Sequence, residues 1–566
     1  MKWNVRSPKD SNQIEGLTPI VSDLLSSRID VEDQSLLKQF LAPSLSYLDT
    51  PDKVMNIEAG IKEITDTINA GGRITVHADY DADGITSAVV LAKTLTKLGA
   101  NFSVWLPHRM LDGYGMSSRF VAKTIEEKPD LIITVDCGIS EAEHISQLSK
   151  AGIKVVVTDH HQVPEGGIPQ DAIAVIDPKQ SNETSPFKSF AGVGVTFKLC
   201  WALCEQNKDK LDCKVSTFLK ELLPYVAIGT IADVMPLVDE NRNIVHAGLK
   251  MIQDDNIDTG LRDLIYAANV NIETINSRDI GFMIAPRINS AGRMDDPSVA
   301  FRCFFCGDRS AASQLDMYNE SRKEASENVF VQADKQIEKN KDDSIILVAQ
   351  EKWHEGVLGI VAGKLSEKYA KPAIVLSISA DKAKGSARSV GGVNLHEVVS
   401  GCAEILDGFG GHAQALGVSL KPENIEKFRE LLRKSSDKLK IASISSEPTL
   451  EIDSFIDLKD VTSGLLNEIS KLEPFGESNP EPILACKSIK LADMRTMGKG
   501  GAHLSVTALK GESSSRAVCF NAGNLIDLID SNLGSDFDIA FVPSFNTFKG
   551  RTSIQLMLKD VRLSES

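Results

Sequence analysis

Residues Arg73 to Ala88 read RITVHADYDADGITSA, a stretch that tightly limits what can be built around it. The β-branched run Ile74, Thr75, Val76 predicts a buried strand, and the apolar periodicity from Ile85 to Leu98 predicts a helix. His77, Asp79, Asp81 and Asp83 stand between them. If extended geometry persists, alternate side chains share a face and all four point one way. Such groups repel one another unless a cation holds them. Carboxylate oxygen with imidazole nitrogen suits Mn²⁺, Mg²⁺ or Zn²⁺. A helix cap, with Asp83 close to the helix start, explains one carboxylate but not three.

The surrounding pattern is α/β. The strands RITVHADY, NFSVWLP, DLIITVD, IKVVVTD and AIAVID alternate with amphipathic helices, which predicts a parallel sheet covered on both faces. Ligands of such sheets lie beyond the carboxyl ends of the strands. Asp136 ends one strand in VDCG, and Asp159, His160 and His161 end another in TDHH. Asp233 interrupts the apolar run YVAIGTIADVMPL, which is costly unless it is paired or metal-bound. Convergence of Asp81, Asp83, Asp136, His160 and Asp233 would let Asp136 bridge two cations, the arrangement that hydrolyses phosphate esters. His161 would then project differently from its neighbour, free to act as an acid or to touch phosphate. FAGVGVTFK superficially suggests a phosphate loop, but its spacing differs from GxxxxGK[ST], so a tight, closely packed helix start is expected.

A chain of 566 residues requires several cores. The expected order is an N-terminal arm (1–50) packed on the segment after it, the first α/β lobe (51–265), a helical connector (266–340), a second α/β lobe (341–440) and a terminal domain (441–566). In the connector, PRINSAGR carries Arg287, Asn289 and Arg293, suited to phosphate contact or to structural ion pairs. The second lobe carries WHEGVLGIVA, then Ser386 and Arg388 in KGSARS, then His412, which opens an expected helix after Gly410 and Gly411. Glycine turns there leave N–H groups for an anion. After residue 440, short alternating strands predict a five- or six-stranded barrel. Lys487, Lys490, Arg495, Lys499, His503, Lys510 and Arg516, with Phe545 and Phe548, suit it to single-stranded nucleic acid.

The net charge of −16 argues weakly against general polyanion binding and says little about a local groove. Nine cysteines without regular spacing, Cys303 and Cys306 read as core thiols among them, predict a reducing, cytoplasmic setting. No apolar run of membrane-spanning length and no signal-peptide pattern are expected.

HADYDADG, VDCG, TDHH and IADVMPL, in this order, resemble the four amino-lobe motifs of the DHH phosphoesterase superfamily. PRINSAGR, WHEGVLGIVA, SARS and GGHAQALG resemble further motifs of its single-stranded-DNA-specific exonuclease (RecJ) branch, so the likeness spans nearly the whole chain. It implies a DHH lobe with a parallel sheet, a smaller α/β DHHA1 lobe and an OB-like barrel. It also implies Mn²⁺- or Mg²⁺-dependent, 5′-to-3′ release of mononucleotides with two ions, in recombination and repair. Carried over by position, the ligands are Asp81, Asp83, Asp136, His160 and Asp233, with His77 at the first motif position. Asp79 supports or joins them, and Asp159 orients its neighbours. Arg109, Arg293, Ser386 and Arg388 would form a 5′-phosphate pocket. Ala387 and Leu416 depart from the more usual glycine and small residue. The implied partners are a single-stranded-DNA-binding protein and a RecQ-type helicase, with the chain a monomer. The alternatives are a short-oligonucleotide or cyclic-dinucleotide phosphodiesterase, which typically lacks a barrel, a pyrophosphatase, whose second-lobe motifs differ, and a non-catalytic scaffold, whose metal motifs are degraded.

Overall fold

The structure, a computed structural model, describes residues 2–6, 13–113, 115–338, 341–439, 441, 449–548 and 551–564. The N-terminal strand β1 (Lys2–Val5) precedes the first lobe. That lobe holds β2 (Arg73–Ala78), β3 (Asn101–Trp105), β4 (Leu131–Val135), β5 (Lys154–Thr158) and β6 (Ala174–Ile176). Their order is β3-β2-β4-β5-β6, all parallel, as the unbroken apolar runs predict. The chain passes from β2 to one side and returns to β4 on the other. The crevice beyond β2 and β4 is therefore the switch point of the sheet, where ligands of such folds bind.

Two expectations at this crevice are corrected. Extended geometry stops at Ala78, and the helix begins at Ala82, running to Lys97. The cap is Asp81, not Asp83: its carboxylate accepts from the N–H groups of Asp83 and Gly84. Asp83 is thereby carried inside the first helical turn.

The lobe's core includes the helix Val215–Ala232, which is by length and composition apolar enough to cross a membrane, contrary to expectation. It contains Pro224 and is packed between the helices Gly192–Gln206 and Asp239–Gln253, so its apolarity belongs to the core. The helix Arg309–Ile337, about 44 Å long at 1.5 Å per residue, joins the lobes. Its start contributes Leu315 to the first core, and its end contributes Val329, Ala333 and Ile337 to the second. Of the two thiols read as core, Cys303 is buried on the preceding helix, but Cys306 is exposed at that helix's last turn.

The second lobe comprises β7 (Ile346–Glu351), β8 (Ala373–Ile378), β9 (Ala383–Arg388), β10 (Leu406–His412) and β11 (Ala415–Leu420) in the order β10-β11-β9-β8-β7. Only β7 and β8 pair in parallel. His412 does not open a helix; it ends β10 in a hairpin with β11. Gly411 has φ 131° there, and a Cβ would lie 2.5 Å from the carbonyl of Ala415. The glycines serve strand pairing.

After β12 (Thr449–Ile452) and the two-residue β13 (Ser454–Phe455) comes the barrel. It is formed by β14 (Leu484–Met497), β15 (His503–Lys510), β16 (Ser513–Cys519), β17 (Phe537–Phe548) and β18 (Arg551–Leu563). Pairing of β14 with β17 closes it. The N-terminal arm does not simply pack on the segment after it. β1 pairs with β12, and Val21, Leu24, Leu25 and Phe40 share the barrel core. Arg242 of the first lobe fastens this assembly, donating to the carbonyls of Phe40 and Leu472 and stacking 3.9 Å from the Phe40 ring.

Candidate active site

Five carboxylates and two histidines meet at the crevice. His160 Nε2 lies 3.2 Å from Asp136 Oδ1, 3.5 Å from Asp233 Oδ2 and 3.8 Å from Asp83 Oδ2. Donor atoms within 4.8 Å of one another form three sets: Asp79, Asp81 and Asp136; Asp83, His160 and Asp233; and Asp136, His160 and His161. Asp136 and His160 each belong to two of them. Asp136 occupies a left-handed conformation, φ 59°, which turns the chain sharply off β4.

Burial and mutual repulsion hold protons on this cluster. Burial, then Asp81, pushes Asp83 up to about 7. Burial, then Asp83, pushes Asp233 up to about 7. Asp136 lies well above the usual carboxylate range for the same reasons. Among the described residues, Asp79 Oδ1, Asp136 Oδ1 and His160 Nε2 are buried without a hydrogen-bond partner. Orphaned oxygens and an imidazole nitrogen facing one another are the donor set that Mn²⁺ or Mg²⁺ requires.

The residues around the cluster position it. Asp83 accepts from the N–H groups of Gly192 and Val193 at 2.7 and 2.9 Å. The start of helix Gly192–Gln206, which resembled a phosphate loop, thus faces a side-chain carboxylate. Lys198, in that helix, is buried against Glu240. At Gly192 a Cβ would lie 2.4 Å from Asp136 Oδ1. Gly192→Ala is expected to weaken Mn²⁺ binding about tenfold, as displacement of a ligand's support does, with folding intact. Titration calorimetry reads this, and unchanged affinity would show that Asp136 needs no such clearance.

Asp159 orients rather than joins. Its carboxylate holds His161 Nδ1 at 2.7 Å and accepts from the N–H groups of His160 and Ile139. Burial opposes protonation of His161, but the Asp159 contact dominates and raises it to about 9, so it is an imidazolium at neutral pH. His77 stands apart from the three donor sets. It is fully buried, its ring lies 4.4 Å from that of Phe120, its Nδ1 is 3.4 Å from Cys137 Sγ, and burial lowers it to about 4.

A cationic pocket adjoins the cluster. Arg109 lies over the Tyr80 ring at 5.2 Å. Arg293 is pushed down to about 10 by burial and by Arg109, and Arg388 is lowered by the same two causes. Among the described residues no carboxylate lies within 4 Å of these three guanidiniums. Ser386 precedes Arg388 on β9, and both approach Gly359. His412 lies at the same end of the sheet, opposite Ala415, which in turn pairs with Arg388. Arg287, by contrast, is a structural residue paired with Asp316. Asn289 accepts from the N–H of Ala82 at 2.8 Å and so ties the connector to the cluster. Ala387 and Leu416 face each other across β9 and β11 in the second core, small against large.

Sequence reasoning missed the N–H pair of Gly192 and Val193, the Tyr80 platform and the role of Asn289. Only Asn289, beside two arginines, carried a signal.

Residues 73–230 match the DHH family, N-terminal domain; residues 342–436 match the DHHA1 domain; and residues 452–560 match the RecJ OB domain. Single-stranded-DNA-specific exonuclease RecJ of Bacillus subtilis is 35% identical over 100% of this chain and 71% of its own. The protein of that name in Escherichia coli is 29% identical over 96% of each. The crystal structure of RecJ in complex with Mn²⁺ from Thermus thermophilus superimposes with a TM-score of 0.77 at 27% identity, covering 94% of this chain and 74% of that one. Its Mg²⁺ complex gives 0.71 at 26% identity, covering 94% and 73%. With its DHH lobe, DHHA1 lobe and OB barrel in that order, the chain belongs to the RecJ family of single-stranded-DNA-specific exonucleases.

Proposed function

We propose that this protein degrades single-stranded DNA from its 5′ end, releasing 5′-mononucleotides. The observation that carries the reading is the pocket of Arg109, Arg293 and Arg388 beside a cluster in which Asp136 is shared. Asp81, Asp83, Asp136, His160 and Asp233 would hold two Mn²⁺ or Mg²⁺ ions, with Asp79 close enough to join them. Bound there, two such ions activate a water and stabilise the leaving oxygen of an in-line displacement.

The chain's own residues do the rest. The arginines, Ser386 and His412 hold a terminal phosphate, which sets polarity. Asn289 and the Gly192 and Val193 N–H groups keep the carboxylates in place. His161, protonated against Asp159, is the acid that hands a proton to the departing 3′ oxygen. The barrel supports the preference for single strands: Phe545 is exposed, and His503 meets exposed Phe520 edge-on at 5.2 Å. The side chains of Lys499 and Phe548 lie outside those described. A single-stranded-DNA-binding protein and a RecQ-type helicase are the proposed suppliers of such strands. Nine free cysteines agree with the proposed cytoplasmic setting, and the enzyme is proposed to act as a monomer.

The test is a product ladder. With Mn²⁺ and a long strand labelled at either end, mononucleotides should leave the 5′ end while a duplex of the same sequence stays intact. Raising salt should weaken binding steeply. Cleavage confined to very short oligonucleotides, or release from the 3′ end, would overturn the reading.

A further inference from the structure

The cationic pocket accounts for one end of the substrate site. A second feature, on the opposite side of the carboxylate cluster, has no place in the reaction so far. A groove of about 630 Å³ opens between the first lobe and the segment leading into the barrel. Val234 and Phe282 line it, and both are exposed, Phe282 to 75% of its surface.

Each of these residues is held in an unusual way. Val234 directly follows Asp233 at the helix C-terminus, with φ 56°. A glycine normally takes that position, because a β-branched residue there is strained. Strain of this kind persists where the surroundings impose it, often at functional sites. Phe282 stands in a π-helical turn, Ile280–Ile284, a geometry that recurs at functional sites.

The decisive relation is a ruler. The π turn runs directly into the helix Ala285–Met294, so Phe282, Asn289 and Arg293 lie on one continuous helical segment. Their spacings of seven and eleven residues place them near one face. Arg293 belongs to the anion pocket, and Asn289 bonds to Ala82 beside Asp81. Phe282 therefore lies beyond the cluster, about 16 Å from Arg293 at 1.5 Å per residue. Even a fully stacked strand advances about 3.4 Å per nucleotide, so at most about five nucleotides bridge the two points. The groove's wall also carries Glu473, Glu477 and Glu481, together with Lys559 and with Arg278, which lies 3.8 Å from Glu481. That wall repels a phosphate backbone but not a nucleobase.

We propose that Phe282, with Val234 beside it, is a stacking post for a base of the substrate strand on the 3′ side of the scissile bond. The strand would be held at two points, its terminal phosphate by the arginines and this base by Phe282, with the bond to be cut drawn between them. Stacking on an exposed ring is tolerant of base identity, which suits an enzyme that must accept any sequence. Phe282 acts in positioning and has no part in the chemistry.

This inference rests on the proposed exonuclease reading, and one experiment separates their failures. A 5′-phosphorylated strand of twelve nucleotides is made in versions that each lack one base, at positions two to six. KM and kcat of the first cleavage are then measured for the unaltered protein, Phe282→Ala and Phe282→Trp. Removal of one particular base should raise KM roughly tenfold for the unaltered protein. Phe282→Ala should raise KM similarly on the complete strand and lose its sensitivity to that base, while Phe282→Trp should restore both values. If no position is sensitive, or if Phe282→Ala shows the same sensitivity as the unaltered protein, the stacking post is wrong and the exonuclease reading stands. If the unaltered protein does not cut the complete strand, both fall.

Discussion

Asp136→Asn is expected to remove nearly all hydrolysis, at least about a thousandfold in kcat, while making the metal-free protein more stable. The first effect follows from position. Asp136 is common to two of the three donor sets, so its loss disturbs both of those. Deletion of a single neutral hydrogen-bond donor to a developing charge already costs about 10²–10³. The second effect follows from burial. Asp136 sits among Asp83, Asp81 and Asp79 with its carboxyl raised well above the ordinary range. A carboxyl whose folded pKa is raised stabilises the fold below its unfolded pKa, near 3.9, and that contribution is lost as pH rises through the folded value. Asp83 and Asp233, both at about 7, add to the same slope. Without divalent ions, the melting temperature should therefore fall between about pH 4 and pH 7 and recover when Mn²⁺ is added. The asparagine variant should melt higher in chelator at pH 8, with a shallower pH dependence and a smaller response to Mn²⁺.

Asparagine is the informative substitution because of the backbone. Asp136 has φ 59°, a region that Asn and Asp enter readily and alanine does not. Asp136→Ala would mix lost charge with new backbone strain of about 1–2 kcal/mol. Near-normal turnover by a folded Asp136→Asn protein would remove Asp136 from the centre of the site.

What could be read in advance obeys a physical division. Asp79, Asp81, Asp136, His160 and Asp233 were legible because each is a costly residue in an apolar or strand-end context, and such a cost needs a reason. The parallel sheet was legible because buried strands leave continuous apolar runs. Main-chain contributions were not. The N–H groups of Gly192 and Val193 carry no side-chain signature, and their use becomes visible only when Asp83 is brought to them. His77 was placed with the carboxylates because extended geometry was carried too far; the strand ends one residue later, and His77 turns toward Phe120 and Cys137. His412 was given to a helix because glycine before an apolar run fits a turn as well as a hairpin. The contact of β1 with β12 joins segments more than 440 residues apart, and no local pattern encodes such a pairing.

Arg388→Ala is expected to raise KM for 5′-phosphorylated strands roughly 30- to 100-fold and to change KM for 5′-hydroxyl strands far less. A charge-assisted hydrogen bond is worth about 1.5–3 kcal/mol, and Arg388 is placed to make one with a terminal phosphate. The repulsion within the pocket sharpens this expectation. Arg388 and Arg293 are both half-buried, and both are disfavoured as cations by Arg109. An anion relieves that repulsion for all three at once, whereas a 5′-hydroxyl relieves none of it. Removing Arg388 also removes its repulsion with Arg109, so part of the loss should be recovered, and a double substitution with Arg109 should cost less than the sum of the single ones. Lysine at 388 would keep charge but lose the planar fork, and should restore only part of the discrimination. Equal losses on phosphorylated and hydroxyl ends would instead make Arg388 a general backbone contact, and the polarity of the enzyme would then have to come from another part of the site.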